Sequence, residues 1–531
     1  MSSSDPQNAS AAVSRSFSRR FQIDLVIEGA LVGLFGGGVV TLYRLSLSGA
    51  EELLRQVTGS IAGNLLYMAL WFLFLAVLLL LVGKLMTWEP ATAGSGIPQV
   101  DAEVIGHMDA PWHRVILAKF IEGSAVALAG LSMGREGPSV QLGGMSGKAV
   151  SRLFGRKRGE ERLLVTCGAA AGMSAAFHAP LTGVLFAIEE IHREFTASLI
   201  ISVMASSLTA DYLVSGVLGV APVMSLDFLR DLPHADYPYV VALGIVCGIL
   251  GALHNRGMFA CQSAYKHISK GTPYMRLVIP FALAGVAAFA WPELMCGGDA
   301  VFEAITSPTM MGLAPLIVLL LGKYAFTTVS FGSGAPGGTL FPLVVMGALV
   351  GCCFSRAAGI VSGFDLAYYP NFMALGIAGL FAAVVRAPVT GCVLVFELTG
   401  SLDAMLSVSL VSILAYIVAN LTKTDPFYEH LLAAQLDVSE DSVEVTGLTG
   451  EKVLKTFHVG AGCRIEGMTV AEVPWPDATR VILINRASAE LIPIGTTRIE
   501  ALDDLLMIMD TDAEEDVTMK LEVMTRPAVK R

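Results

Sequence analysis

Residues Leu65–Gly83 run for 19 positions without a charged side chain. At about 1.5 Å of helix rise per residue, that is enough to cross the ~30 Å hydrocarbon core of a bilayer. Ala404–Leu421 is a second such run. Other apolar runs, Val240–Leu253, Leu277–Trp291 and Phe341–Phe354, are too short to cross upright, and glycine and proline break many of them. Segments of this kind predict half-helices that end inside the membrane. Composition agrees. The chain is 54% hydrophobic and 15% charged, against roughly 25% charged in a soluble domain. This excludes an ordinary soluble enzyme, a disordered scaffold and a secreted disulfide module, and a net charge of −11 argues against a nucleic-acid partner.

Charge is unevenly spread. Leu436–Arg531 holds 10 basic and 18 acidic residues, a net of −8, whereas the preceding 435 residues carry only −3. The expected organisation is a polar, basic N-terminal segment (1–22), a membrane domain (23–435), a linker (436–447), a water-facing domain (448–524) and a short tail (525–531). Arg15, Arg19 and Arg20 precede the first apolar run and predict a cytoplasmic N-terminus, and Arg156-Lys157-Arg158 reads as a second inside loop. A transit peptide is the alternative for the first residues. Asp24 and Glu28 in the apolar run argue against a signal peptide. The eight cysteines show no metal-ligand spacing and read as small core residues, so no metal or cofactor is expected.

The membrane part contains a repeat. AAGMSAAFHAPLTGVLFAIE at 170–189 matches IAGLFAAVVRAPVTGCVLVFE at 377–397, pairing Pro180 with Pro388, Thr182 with Thr390 and Glu189 with Glu397. A G-x-x-x-P stands upstream of each copy, at Gly134–Pro138 and Gly338–Pro342. Two related halves with paired broken helices predict a secondary transporter whose site lies near the bilayer midplane.

Three clusters carry the chemistry: Gly94-Ser95-Gly96-Ile97-Pro98, Gly134-Arg135-Glu136-Gly137-Pro138 and Gly337-Gly338-Thr339-Leu340-Phe341-Pro342. Glycine permits a tight backbone path, and proline suits the first helical turn, where its missing N–H costs nothing. The free amides of that turn, with about +0.5 charge from the helix dipole, bind an anion without a full positive charge and so allow its release.

At this order and spacing the clusters, together with Tyr428 in Asp-Pro-Phe-Tyr, resemble the CLC chloride channel and transporter family over roughly residues 20–435. The resemblance implies an all-α polytopic membrane protein with inverted repeats and broken helices. It also implies a homodimer with one anion pathway per subunit, in a bacterial inner or plasma membrane with both termini cytoplasmic. Taken alone, Ser95 reads as a helix N-cap and Tyr428 as an interfacial aromatic. The resemblance makes both hydroxyls donors to a central chloride, with Gly94, Arg135, Gly137 and the amides of Thr339, Leu340 and Phe341 completing the anion-binding set. Leu340 departs from the family, which usually has Phe there.

Glu136 at a helix start reads as favourable dipole pairing, but an ionisable group inside a membrane marks a functional site. A tethered carboxylate beside an anion seat competes with chloride for it, and bound chloride favours its protonation. Arg135 is expected to pack or position backbone rather than hold the ion. Glu190 falls where exchanger-type relatives have the internal proton-transfer glutamate and channel-type relatives have valine. The other reading of Glu190 is a solvated charge beside His192 and Arg193. Glu189 and Glu397 read as structural, Lys119 as a match to a family lysine, and His178 as a helix-turn hydrogen-bonder.

In the water-facing part, Arg480–Asn485, Leu491–Ile494 and Leu505–Met509 read as strands, with one helix beginning near Gly467-Met468-Thr469 and another after Asp512. Ile492-Pro493-Ile494-Gly495-Thr496 and Ala501-Leu502-Asp503-Asp504-Leu505-Leu506 resemble the TrkA-C (RCK C-terminal) domain of potassium transport proteins, with Asp503 in place of a usual glycine. That resemblance implies a small α+β regulatory domain that dimerises and binds a small ligand, a cyclic dinucleotide in some relatives. A dimer-stabilising domain without ligand is the alternative.

The whole reads as a proton-coupled chloride exchanger, not an enzyme, with chloride, protons, the lipid bilayer and a second copy as partners. A gated chloride channel on the same fold is the alternative. A potassium transporter lacks a TVGYG-type filter here, and a serine hydrolase using Ser95 and His107 lacks a GxSxG elbow.

Overall fold

The computed structural model describes residues 6–156, 158–193, 195–219, 232–268, 272–306, 311–436, 452–460, 463–477, 479–486, 489–501, 503–510 and 514–525. The predicted linker beyond residue 436 and the tail beyond 525 lie outside them, as do Lys157 and Leu502. Two compact units divide near residue 437.

The first unit is helical. Among the described residues, eight helices are long and apolar enough to cross a membrane. Three of them overturn an expectation. The short runs at 240, 277 and 341 lie within helices Tyr237–Ile268, Pro273–Ala290 and Leu340–Ser362, each long enough to span. The first continues because its polar residues find partners inside the protein: Asn255 is fully buried and hydrogen bonded to two carbonyls. Genuinely short helices also occur, as Ile97–Val104 and Pro180–Phe186. Glu28 in the first span accepts from Arg156 Nε at 2.9 Å, which accounts for a carboxylate in that apolar run.

The two halves are built alike. Helix Glu136–Leu153 lies against Arg158–Phe177 in the first, and Leu340–Ser362 against Tyr369–Val385 in the second. Both crossings are so close that a Cβ on Gly172 would strike Ser139 O, and one on Gly376 would strike Gly347 O. Small residues at a membrane crossing let backbones approach this way. The repeats also brace each other. Glu189 accepts from Thr390 N at 2.8 Å and Thr390 Oγ1 at 2.7 Å, while Glu397 accepts from Leu181 N at 2.8 Å and Thr182 N at 2.7 Å. Each glutamate thus satisfies the free amides at the proline-started helix of the other half.

The second unit has a four-stranded antiparallel sheet in the order β1-β4-β2-β3, formed by β1 (Lys452–His458), β2 (Thr479–Arg486), β3 (Ala489–Leu491) and β4 (Asp504–Asp510). Helix Glu514–Thr525 buries Val517 and Leu521 in a core with Phe457, Ile484, Leu505 and Met507. The helix expected near Gly467 is absent. Gly467 has φ +83°, Thr469 forms a single bridge to Arg498, and Glu472 reaches back to Thr469 N at 2.8 Å. Pro474 and Pro476 follow at once, and the residue before a proline is steered out of the helical region, so the capping pattern closes only a turn. Strand β3 likewise ends at Leu491, ahead of Pro493.

Asp503, where glycine was expected, is fully buried and accepts from Arg486 Nε at 2.8 Å and Nη2 at 2.9 Å. This two-pronged pair and the Glu500 amide fill its acceptor sites. Asp503→Ala leaves the guanidinium without its fork and is expected to destabilise this unit by about 1–3 kcal/mol. Limited proteolysis of the full chain, followed at sites within 452–525, measures it. Cleavage rates equal to wild type would show that the pair contributes nothing.

Candidate functional site

The three glycine clusters meet through backbone hydrogen bonds. Gly134 N donates to Gly338 O at 2.7 Å and Gly338 N to Gly134 O at 2.8 Å, joining the repeats at matching positions. Gly94 N donates to Gly334 O at 3.0 Å, and Gly337 N donates to Gly94 O at 3.1 Å. Side chains have no room here. A Cβ on Gly137 would lie 2.5 Å from Ser95 Oγ, and one on Gly338 would lie 2.8 Å from Gly137 N.

Ser95 is not the N-cap of helix Ile97–Val104. Gly96, at φ +100°, takes that place. The Ser95 and Tyr428 hydroxyls are buried, and neither has a hydrogen-bond partner among the described residues. The Tyr428 hydroxyl lies close to the side chains of Ser95 and Thr339. Tyr428 is therefore no interfacial aromatic: its ring meets Phe427 and Phe186 edge-on, at 5.2 and 6.3 Å. Thr339 is the N-cap of helix Leu340–Ser362, and the Leu340 side chain is buried.

Glu136 is wholly buried at the start of its helix. Its Oε2 accepts from Phe341 N at 3.1 Å, while Oε1 has no partner among the described residues. The Glu136 carboxyl oxygen thus takes a free amide in the first turn of the other half's helix. Arg135 does not pair with it by a hydrogen bond. Its guanidinium lies 5.1 Å above the Phe341 ring, and its Nε is without a partner among the described residues.

Glu190 lies in a π-helical turn, Ala187–His192, and is buried. That excludes the solvated-charge reading. Arg193, just beyond the turn, gathers three carboxylates: Glu190 at 3.8 Å, Asp101 at 3.6 Å and Glu429 at 3.1 Å. Glu429 adjoins Tyr428, so Arg193 ties the Glu190 turn to the segment carrying the tyrosine. His178 stands apart, bonded through Nδ1 to Asp211 at 2.8 Å. His107 is exposed while Ser95 is buried, which does not suit a catalytic pair.

Of three supports, Lys119 was noted in the sequence only as a match to a family lysine, and Lys323 and Asn255 were not singled out there. Lys119 Nζ donates to Thr92 O at 2.8 Å and Gly94 O at 2.7 Å, fixing the loop before Ser95. Lys323 does the same in the other half, to Leu294 O at 3.0 Å and Cys296 O at 2.8 Å. Both lysines stand 15 residues ahead of their cluster glycine, Gly134 or Gly338, a spacing from which Lys323 could have been found. Asn255 holds Asp425 O at 3.1 Å, three residues before Tyr428. No sequence signal pointed to it.

Comparison with known proteins bears on the same region. The family described as voltage gated chloride channel matches residues 78–420. The H(+)/Cl(-) exchange transporter ClcA of Vibrio vulnificus (strain YJ016) is 32% identical over 419 residues, covering 77% of this chain and 89% of that protein. ClcA of Salmonella paratyphi B is 30% identical over 420 residues, with 78% and 89% covered. Among solved structures, a slow cyanobacterial Cl-/H+ antiporter superposes with a TM-score of 0.73 at 26% identity, covering 78% of this chain and 99% of its own. A CLC-type fluoride/proton antiporter shares the fold, with a TM-score of 0.62 at 20% identity and 76% and 97% covered. With stitched helix starts at its centre and this extent of likeness, the chain belongs to the voltage gated chloride channel (CLC) family of integral membrane proteins.

Proposed function

We propose that this protein is a secondary active H+/Cl− exchanger. One observation carries the reading: the Glu136 carboxylate sits on the Phe341 amide, so a protein-borne anion holds a seat that a halide could take. In this reading chloride lies against the Ser95 and Tyr428 hydroxyls and the amides of Thr339 and Leu340. These donors carry only partial charge, so they replace the ion's hydration without trapping it. Chloride moving outward displaces the carboxylate, which takes a proton once it is freed; when chloride leaves, the carboxylate gives up the proton and returns. Glu190, held beside Asp101 and Arg193, hands protons to the inner side along a route separate from the anion's. Leu340 supplies a backbone donor as well as Phe would, and a smaller gate.

Purified protein in liposomes tests this. A chloride gradient is expected to drive protons uphill, whereas chloride flux with no proton movement would leave a channel. Gly338→Ala, whose Cβ would force the helix starts apart, is expected to slow chloride turnover about tenfold or more, a rise of ~1.4 kcal/mol in the barrier. The same liposome assay reads it, and an unchanged rate would contradict the close approach.

Residues 448–524 are proposed to act as a TrkA-C-like regulatory domain in a homodimer, with a cyclic dinucleotide as the first ligand to try. Truncation after Gln435 should leave exchange intact and remove any response of the rate to that ligand.

A further inference from the structure

Two small cavities lie beside the stitched helix starts. One, of about 30 Å3, is walled by Gly134, Arg135 and Phe341 together with Glu51 and Asp299. The other, of about 20 Å3, shares Glu51, Asp299 and Cys296 with the first and adds Arg55. A water needs roughly 10–15 Å3 and two to four polar partners, and both cavities offer that. The first cavity adjoins Glu136. Gly134 is part of its wall, and a Cβ on Gly134 would strike Glu136 Oε2. Phe341, whose amide donates to the same oxygen, is part of that wall too. Cavity and carboxyl group therefore meet across these two residues.

The two acids on the walls lack the partners that other acids in this fold have. Both are partly buried, and among the described residues neither is hydrogen bonded or ion paired. Glu51 lies in the first membrane span, Ile23–Ile61, where an ionisable group is costly. Glu28 in the same span is held by Arg156, and Glu51 has no such holder. The cations around the cavities are otherwise placed. Lys323 is committed to the carbonyls of Leu294 and Cys296, Arg135 lies over the Phe341 ring, and Arg55 lines only the second cavity. Tyr43 and Cys296 are the other titratable groups on the first wall. Asp299 opens helix Asp299–Thr306, where a carboxylate suits the helix dipole. Glu51, inside a long helix, has no comparable structural part.

We propose that Glu51 and Asp299 form a second proton port, which delivers protons through water in these cavities to Glu136 once chloride has displaced its carboxylate. The proposal rests on the exchange reading, in which Glu190 serves one side of the membrane and the proton needs access on the other. The proton passes from a carboxyl group of the pair, along the cavity water, to a Glu136 oxygen. The carboxylate left behind takes the next proton from solvent. Removing one acid makes delivery harder, and most of all when protons are scarce. Neutral variants should therefore fail first at high pH.

The experiment is chloride-driven proton movement in liposomes, recorded across pH for full-length wild type, Glu51→Gln, Glu51→Asp and Asp299→Asn. Wild type and Glu51→Asp, which keeps the charge, should share one profile. In Glu51→Gln and Asp299→Asn the alkaline fall-off should move to lower pH by about half a unit or more. That is a loss of about threefold or more on this limb, while the rate at the acid end stays within about twofold. The two neutral variants are read separately, so misfolding of one leaves the other to decide. Neutral variants whose profiles superpose on wild type, or whose rates fall by the same factor at every pH, would overturn the proposal. Exchange itself is judged by whether wild type moves protons at all, so the two failures are distinct.

Discussion

Glu136→Gln is expected to abolish proton movement while chloride still crosses. Glutamine keeps the length of the side chain and can still accept from Phe341 N, but it carries no charge to compete with a halide and no proton to exchange. With the coupled step gone, a chloride gradient should acidify or alkalinise nothing. Proton flux in liposomes should fall at least a hundredfold, roughly 3 kcal/mol of lost coupling. Chloride efflux should become insensitive to pH, because the competitor that titrates has been removed. Simultaneous recording with a chloride electrode and a pH electrode reads both. Retained proton pumping would mean that another group takes the seat.

Glu190→Val should separate the two ions differently. The side chain is buried at the π-turn, with Arg193, Asp101 and Glu429 around it, and it is remote from the stitched glycines in sequence and in hydrogen bonding. Valine removes the proton acceptor and leaves Glu136 able to compete at the anion seat. Chloride flux should persist within about threefold and keep its pH dependence, while proton movement falls by a hundredfold or more. Arg193 then loses one of three carboxylate neighbours, and the other two keep it in place. Loss of both fluxes together would instead assign Glu190 a structural part.

The meeting of the three glycine clusters was legible in the sequence because it rests on backbone contacts. Gly137 and Gly338 are glycine because backbones approach there, Gly134 because a Cβ would strike the Glu136 carboxyl group and the Pro342 ring, and Pro98, Pro138 and Pro342 stand in the first helical turn. Such requirements leave marks that a single sequence reveals. The repeat register aligned Glu189 with Glu397, though not the cross-bracing that each provides to the opposite helix. Side-chain supports were less visible. Lys323 had a spacing signal, but Asn255 and Arg193 act on segments far away in sequence, and nothing local announces that. Helix lengths were underestimated where polar residues interrupt apolar runs, because a residue such as Asn255 can be satisfied inside the fold without ending a helix. The turn at Gly467–Glu472 misled in the other direction: its capping pattern is genuine, and the prolines after it decide the outcome. Ser95 shows the same limit, since a left-handed Gly96 took the capping place and left the hydroxyl without a partner among the described residues.

The most direct test of the account is chloride binding measured by titration calorimetry on purified protein across pH, for wild type and Glu136→Gln in parallel. If the carboxylate and chloride share the Phe341 amide, wild-type affinity should weaken as pH rises and the acid ionises, by as much as tenfold for each pH unit above its titration point. Glu136→Gln should bind chloride equally well at every pH. Matching pH slopes in the two proteins would contradict the shared seat.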